Sequence, residues 1–152
     1  MKELNQYILE KLKINKDSNK YHYHPKNRDE LHSLIEKLLE ERGNDANLND
    51  IDVSDITDMS GLFEDLDPYN IDISKWDVSN VENMEYMFFG CENFNSDLSN
   101  WNVSKVKNMQ YMFFGCENFN SDLSNWDVSN VKYMGHMFYE CNSLKNKPSW
   151  YK

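Results

Sequence analysis

The stretch MFFGCENFNSDLSNW runs from Met87 to Trp101 and again, unchanged, from Met112 to Trp126. The offset of 25 residues is a period, and it continues on both sides of the copied stretch. Four units share the central phrases LNDIDVSDI (48–56), ISKWDVSNV (73–81), LSNWNVSKV (98–106) and LSNWDVSNV (123–131). Their common frame, L/I-x-x-W/I-x-V-x-x-V/I, predicts a short strand in each unit. A second pattern follows each phrase: Met59, Leu62, Phe63 and Leu66; Met84, Met87, Phe88 and Cys91; Met109, Met112, Phe113 and Cys116; Met134, Met137, Phe138 and Cys141. The spacing i, i+3, i+4, i+7 predicts one face of a short helix. Asp58, Asn83 and Asn108 stand where an N-cap belongs, with Tyr133 in that place in the fourth unit. A return loop then carries Tyr69, Phe94, Phe119 or Leu144.

One such unit cannot bury its apolar face alone, whereas stacked units bury a continuous core. The expected architecture is therefore an α/β solenoid, a leucine-rich-repeat-like stack of about four 25-residue strand–helix units with an N-terminal helical cap. The division expected is 1–47 as the N-terminal helical region, 48–144 as the repeats and 145–152 as a C-terminal cap. Within the first part, 1–13 reads as a helix and NKDSNK (15–20) as a flexible join. Asn27 precedes RDELHSLIEKLLEER, with Glu30 at the capping-box position and Gly43 past the end. Leu31, Leu34, Ile35, Leu38 and Leu39 form its apolar stripe, which suits a lid over the first unit. At the other end KNKPSWYK breaks the period, and Trp150 falls one residue early.

The phrase F-N-x-D-L-S-N-W-D-V-S-N-V-x-N-M-x-x-M-F-x-x-C resembles the BspA-like leucine-rich repeats, in their 25-residue mycoplasma-type variety. The likeness covers about residues 48–144, and YHPKNRDELHSLIEKLL (23–39) resembles the helix that precedes the repeats in short members. It implies the repeat fold and a binding role, with no particular ligand. One departure concerns the asparagine position of a leucine-rich repeat, which is Ile56, Val81, Val106 and Val131 here.

Charge is unevenly placed. Residues 1–47 hold nine basic and nine acidic side chains, so the net charge of −10 falls entirely on 48–152. An acidic surface of this kind repels phosphates and attracts basic partners, which argues against direct nucleic-acid binding. Cys91, Cys116 and Cys141 lie one period apart and read as one buried position repeated, neither a disulfide framework nor a metal site. No phosphate loop, nucleophile elbow or HExxH occurs, so no catalytic residue, cofactor or metal is expected. His22 and His24 alternate as on a strand and read as loop histidines, with metal binding the minor alternative. No apolar run approaches a membrane span. MKELNQYILEKLKI lacks the apolar core of a secretory signal, so a cytoplasmic protein, in a bacterium or a phage-infected host, is expected.

Two surfaces qualify as partner sites. Asp52, Asp77, Asn102 and Asp127 form a column facing outward between the inward Trp and Val positions. Like charges on neighbouring rungs repel, and a Lys- or Arg-bearing partner would relieve them. The alternative is that these side chains bond nearby amides and Ser54, Ser79, Ser104 and Ser129. A second column, Asp72, Asp97 and Asp122, reads as turn residues. On the other flank Tyr86 and Phe89, Tyr111 and Phe114, and His136 and Tyr139 face away from the Met–Phe–Cys core. That aromatic stripe is either an interface or a set of rings shielding the core by stacking on their copies. Gly61 and Glu64 break it in the first unit. The function expected is non-enzymatic protein binding, in its concrete form an acidic inhibitor of a basic nucleic-acid-handling enzyme, of the anti-CRISPR or anti-defence type. The alternative is an adhesin-like surface recognition module. Self-association through open repeat ends is a further expectation.

Overall fold

The computed structural model describes residues 20–152. The helix expected over 1–13, and all but the last residue of the join expected over 15–20, lie outside the described residues. Helix α1 (Arg28–Arg42) forms where the sequence places it. Its cap is Asn27, whose Oδ1 accepts the Glu30 N–H at 2.9 Å, while the Glu30 carboxylate takes the Lys26 N–H at 2.8 Å. Gly43, at φ 93°, ends the helix and returns its N–H to the Leu39 carbonyl. Leu31, Ile35, Leu38 and Leu39 are buried against the first repeat.

The repeats themselves are not strand–helix units, and the α/β solenoid expected above is not what forms. Among the described residues α1 is the only helix, and parallel pairing is confined to isolated bridges, with no sheet. Two features of the sequence explain the difference. The frame L-x-x-W-x-V-x-x-V has spacings of three, two and three, whereas a strand needs two throughout. Each three-residue step closes a β-turn instead. Trp101 N–H reaches the Leu98 carbonyl at 3.1 Å and Val106 N–H reaches Val103 at 3.0 Å, and the same pair recurs in the units at 73–81 and 123–131. Each turn is set by a carboxylate or amide just before it, as in Asp97 Oδ1 accepting from the Ser99 N–H at 3.0 Å.

In the second half of each unit the apolar spacing is helical but the backbone is not. The Asn83 side chain caps the Glu85 N–H at 3.0 Å, as an N-cap would. Tyr86 then enters the left-handed region at φ 57°, as do Tyr111 (57°) and His136 (56°), and Gly61 stands at the same place at 59°. A left-handed residue stops a right-handed helix within its first turn. From there alternate N–H groups leave the unit. Those of Met84, Tyr86, Phe88 and Gly90 bond the carbonyls of Asn108, Gln110, Met112 and Phe114 at 2.9, 3.0, 2.9 and 2.7 Å. The intervening Met87, Phe89 and Cys91 bond back three residues at 3.0–3.2 Å. The segment is thus half turn and half ladder, and every ladder peptide points its N–H toward the next unit.

Side chains follow the same register. Phe63, Phe88, Phe113 and Phe138 stack with centroids 5.1, 5.5 and 5.7 Å apart. Trp76, Trp101, Trp126 and Trp150 stack at 6.3, 6.5 and 6.3 Å, so Trp150 takes the next place in the column despite its early position. Each indole N–H reaches a carbonyl of the preceding unit: Leu48, Ile73, Leu98 and Leu123, all at 2.9 Å. The thiols of Cys91, Cys116 and Cys141 do the same to Phe63, Phe88 and Phe113. Burial pushes all three thiols up, Cys141 to about 12, which leaves them as small core donors.

Two outcomes test this packing. Trp101→Ala should cost about 3–5 kcal/mol in urea unfolding, because the ring stacks on both neighbours and no side chain can fill its place. At Tyr111 the usual order should invert: Tyr111→Gly should be more stable than Tyr111→Ala by about 1 kcal/mol, since only glycine relaxes the left-handed backbone.

Candidate functional site

The turn face carries two parallel acidic columns. Asp77, Asn102 and Asp127 are exposed and Asp52 is half-buried, and each caps a turn. Their Oδ1 atoms accept the N–H groups of Ser79, Ser104, Ser129 and Ser54 at 3.0–3.1 Å. They sit at turn corners, in place of the strand positions expected. Asp72, Asp97 and Asp122 are exposed and bind the Ser74, Ser99 and Ser124 N–H groups at 2.9–3.1 Å. In this way one oxygen of each carboxylate is fixed on the backbone, and the second oxygen of Asp52 lies 3.3 Å from His24 Nδ1. A shallow cleft of about 270 Å³ lies between the second-column residues of adjacent units, lined by Asn95, Ser96, Asp97, Asn120, Ser121 and Asp122.

Hydrogen bonds from Ser74 and Ser99 hold Asp72 and Asp97 below the ordinary carboxylate range, and Ser124 and Ser129 do so for Asp122 and Asp127. Against this, the charge on Asp72 pushes Asp97 upward, which is repulsion along the column. Residues 48–127 hold sixteen acidic side chains and three lysines. Two of those lysines are turned sideways along the stack, Lys105 to Asn80 at 2.9 Å and Lys107 to Glu82 at 2.7 Å.

The aromatic flank lies where the sequence places it, on a backbone the sequence did not reveal. Tyr86 and Tyr111 stack at 4.9 Å and Tyr111 and His136 at 5.3 Å. Beside them Phe89, Phe114 and Tyr139 stack at 5.0 Å each. The four inner rings are half-buried, and His136 and Tyr139 are exposed. These residues point outward because Tyr86, Tyr111 and His136 are the left-handed positions. Gly61 in the same column of the first unit was the one sequence signal of that geometry.

The histidines near the start are not brought together on one ion. His22 Nδ1 lies 3.0 Å from Asp50 and His24 Nδ1 lies 3.3 Å from Asp52. Asp50 is the junction of three segments that sequence reasoning missed, because its partners are distant in the chain. Both terminal nitrogens of Arg42, at the end of α1, reach its carboxylate at 2.9 Å. Arg42, then His22, hold Asp50 below the ordinary carboxylate range despite its partial burial. Among the described residues no group of three or more His, Cys, Asp and Glu could hold a metal ion, and no helix is long and apolar enough to cross a membrane.

The family model described as "Mycoplasma protein of unknown function, DUF285" matches residues 31–151. That span includes α1 from Leu31 and every repeat, and it agrees with the BspA-like resemblance of the repeats. No curated protein and no solved structure matches the chain.

The Asp50 junction gives a pH dependence of known sign. A carboxyl held low in the folded state contributes fully above its unfolded value, near pH 4, and loses that contribution as pH falls through the folded value. Urea midpoints should therefore fall between about pH 5 and pH 3, and Asp50→Asn should flatten that decline while lowering the midpoint at neutral pH.

Proposed function

The chain belongs to the DUF285 family of mycoplasma proteins of unknown function, and we propose that it is a non-catalytic protein-binding scaffold whose acidic turn face takes a basic protein surface. The observation that carries this reading is the pair of aspartate columns. Each carboxylate is oriented by a backbone N–H one unit from the next, so a Lys- or Arg-rich partner meets fixed charges rather than mobile ones. A partner cation also relieves the repulsion between rungs that Asp72 and Asp97 already show. In its concrete form the scaffold acts in the cytoplasm and occupies the basic groove of a nucleic-acid-handling enzyme, excluding the natural polyanion.

A second reading rests on the half-buried stacked rings of Tyr86, Phe89, Tyr111 and Phe114. They would make the aromatic flank the recognition surface, as an adhesin-like module would require.

Capture from host lysate separates the two. Asp77/Asp97/Asp122/Asp127→Asn keeps the turn-capping oxygen, as Asn102 does naturally, and removes only charge. It should weaken capture at least about tenfold, and raising salt from 50 to 500 mM should weaken the wild type similarly. Capture that survives both, and is lost in Tyr86/Phe89/Tyr111/Phe114→Ala, would move the interface to the aromatic flank.

A further inference from the structure

The two ends of the stack are not equivalent. At the first unit the ladder carbonyls are capped by α1. Arg28 Nε donates to the Ser60 carbonyl at 2.7 Å, its Nη2 to Gly61 at 3.1 Å, and His32 Nδ1 lies 3.0 Å from the Leu62 carbonyl. The donors to Ser60 and Leu62 stand where the N–H groups of a preceding unit would stand, since one unit on the carbonyls of Glu85 and Met87 take such bonds from Gly61 and Phe63. An extended segment from outside the repeats completes the same end: Tyr23 bridges Ile51, and its carbonyl takes the Asp52 N–H at 2.8 Å.

At the last unit nothing comparable is present among the described residues. The N–H groups of Met109, Tyr111, Phe113 and Gly115 bond the fourth unit at 2.7–3.0 Å. Their counterparts on Met134, His136, Phe138 and Glu140 have no hydrogen-bond acceptor among the described residues. The core beneath them is uncovered as well. Val103, Val106 and Met109 are 1%, 0% and 0% exposed, while Val128, Val131 and Met134 are only partly buried. Trp150 and Tyr151 close the tryptophan side, packing on Phe138 at 6.1 and 5.0 Å, and stop there. Tyr133 and Tyr139 flank the uncovered part, 56% and 54% exposed.

We propose that this edge, residues 133–140, is a docking site for an acidic segment of another protein, which adds as one more rung with its carbonyls turned toward the edge. Three observations select that occupant. The ladder peptides all point N–H outward here, so the incoming backbone must present carbonyls. The surrounding charge is reversed relative to the rest of the stack: residues 128–152 carry Lys132, Lys145, Lys147 and Lys152 against Glu140 alone, net +3. Finally, a second copy is a poor fit. Two such edges would set donors against donors and lysines against lysines, and the carbonyl end of another copy is closed by α1. This edge is separate from the acidic turn face and takes a partner of opposite charge.

The test uses the full chain. Hydrogen exchange should show the amides of Met134, His136 and Phe138 exchanging at least about a hundredfold faster than those of Met109, Tyr111 and Phe113. A displayed library of random peptides, about twelve residues long, should yield acidic sequences that protect the 134–138 amides. These should bind Lys132→Glu/Lys145→Glu at least about tenfold more weakly. Three results would overturn the proposal: equal protection in the free protein, meaning the chain already covers its own edge; selection of no peptides, or of peptides that leave those amides unprotected; or a dimer in sedimentation that buries the same amides.

Discussion

Everything in this fold depends on the hydrogen bond that carries one unit's N–H to the next unit's carbonyl. In the segment from Met84 to Gly90 those bonds alternate with local turn bonds, and each forces its peptide to lie along the stack. Once the peptides are aligned, every side chain has its own copy directly above or below it. The Phe, Trp and Phe–Tyr columns then follow as a geometric result, since rings at one register can only stack or clash. The indole and thiol donors are satisfied in the same way, by a carbonyl one unit earlier, which is why a core this rich in Trp and Cys leaves no buried side-chain polar atom unpaired among the described residues.

The residues that fill these columns were legible from the sequence, and the backbone that holds them was not. Trp, Met, Phe and Cys recur in register, and a rare residue repeated at a fixed interval has few explanations other than a ladder. The cap at Asn27 and Glu30 was legible because all its partners lie within four residues. The frame L-x-x-W-x-V-x-x-V imitates a strand only at its central two-residue step, and its two three-residue steps make it a turn frame. The left-handed turn is hidden in the sequence because the tyrosine of Tyr86 and Tyr111 seldom adopts it, and the permissive glycine appears in that column once.

The candidate surfaces show the same division. The Asp and Tyr positions face outward because the core does not use them, and that holds for a strand, a turn or a helix. What each group does locally was less visible. The Asp-x-Ser bonds could be foreseen, being two residues long, and Asn102 keeps the bond without the charge. The Asp50 junction joins residues 22, 42 and 50, and the Arg28 cap reaches across 32 residues, so neither has a sequence signature.

The copied fifteen residues also bear on how the chain finds its place. Two identical stretches can exchange neighbours with almost no change in the contacts either one makes, so the middle of the stack does not know its own position. The ruler is at the ends, where Tyr23, Arg28 and Arg42 recognise only the first unit and Trp150 closes only the last. A chain built this way can gain or lose a whole unit in evolution without redesigning any contact, provided both ends are kept. Height is a free variable in such a molecule.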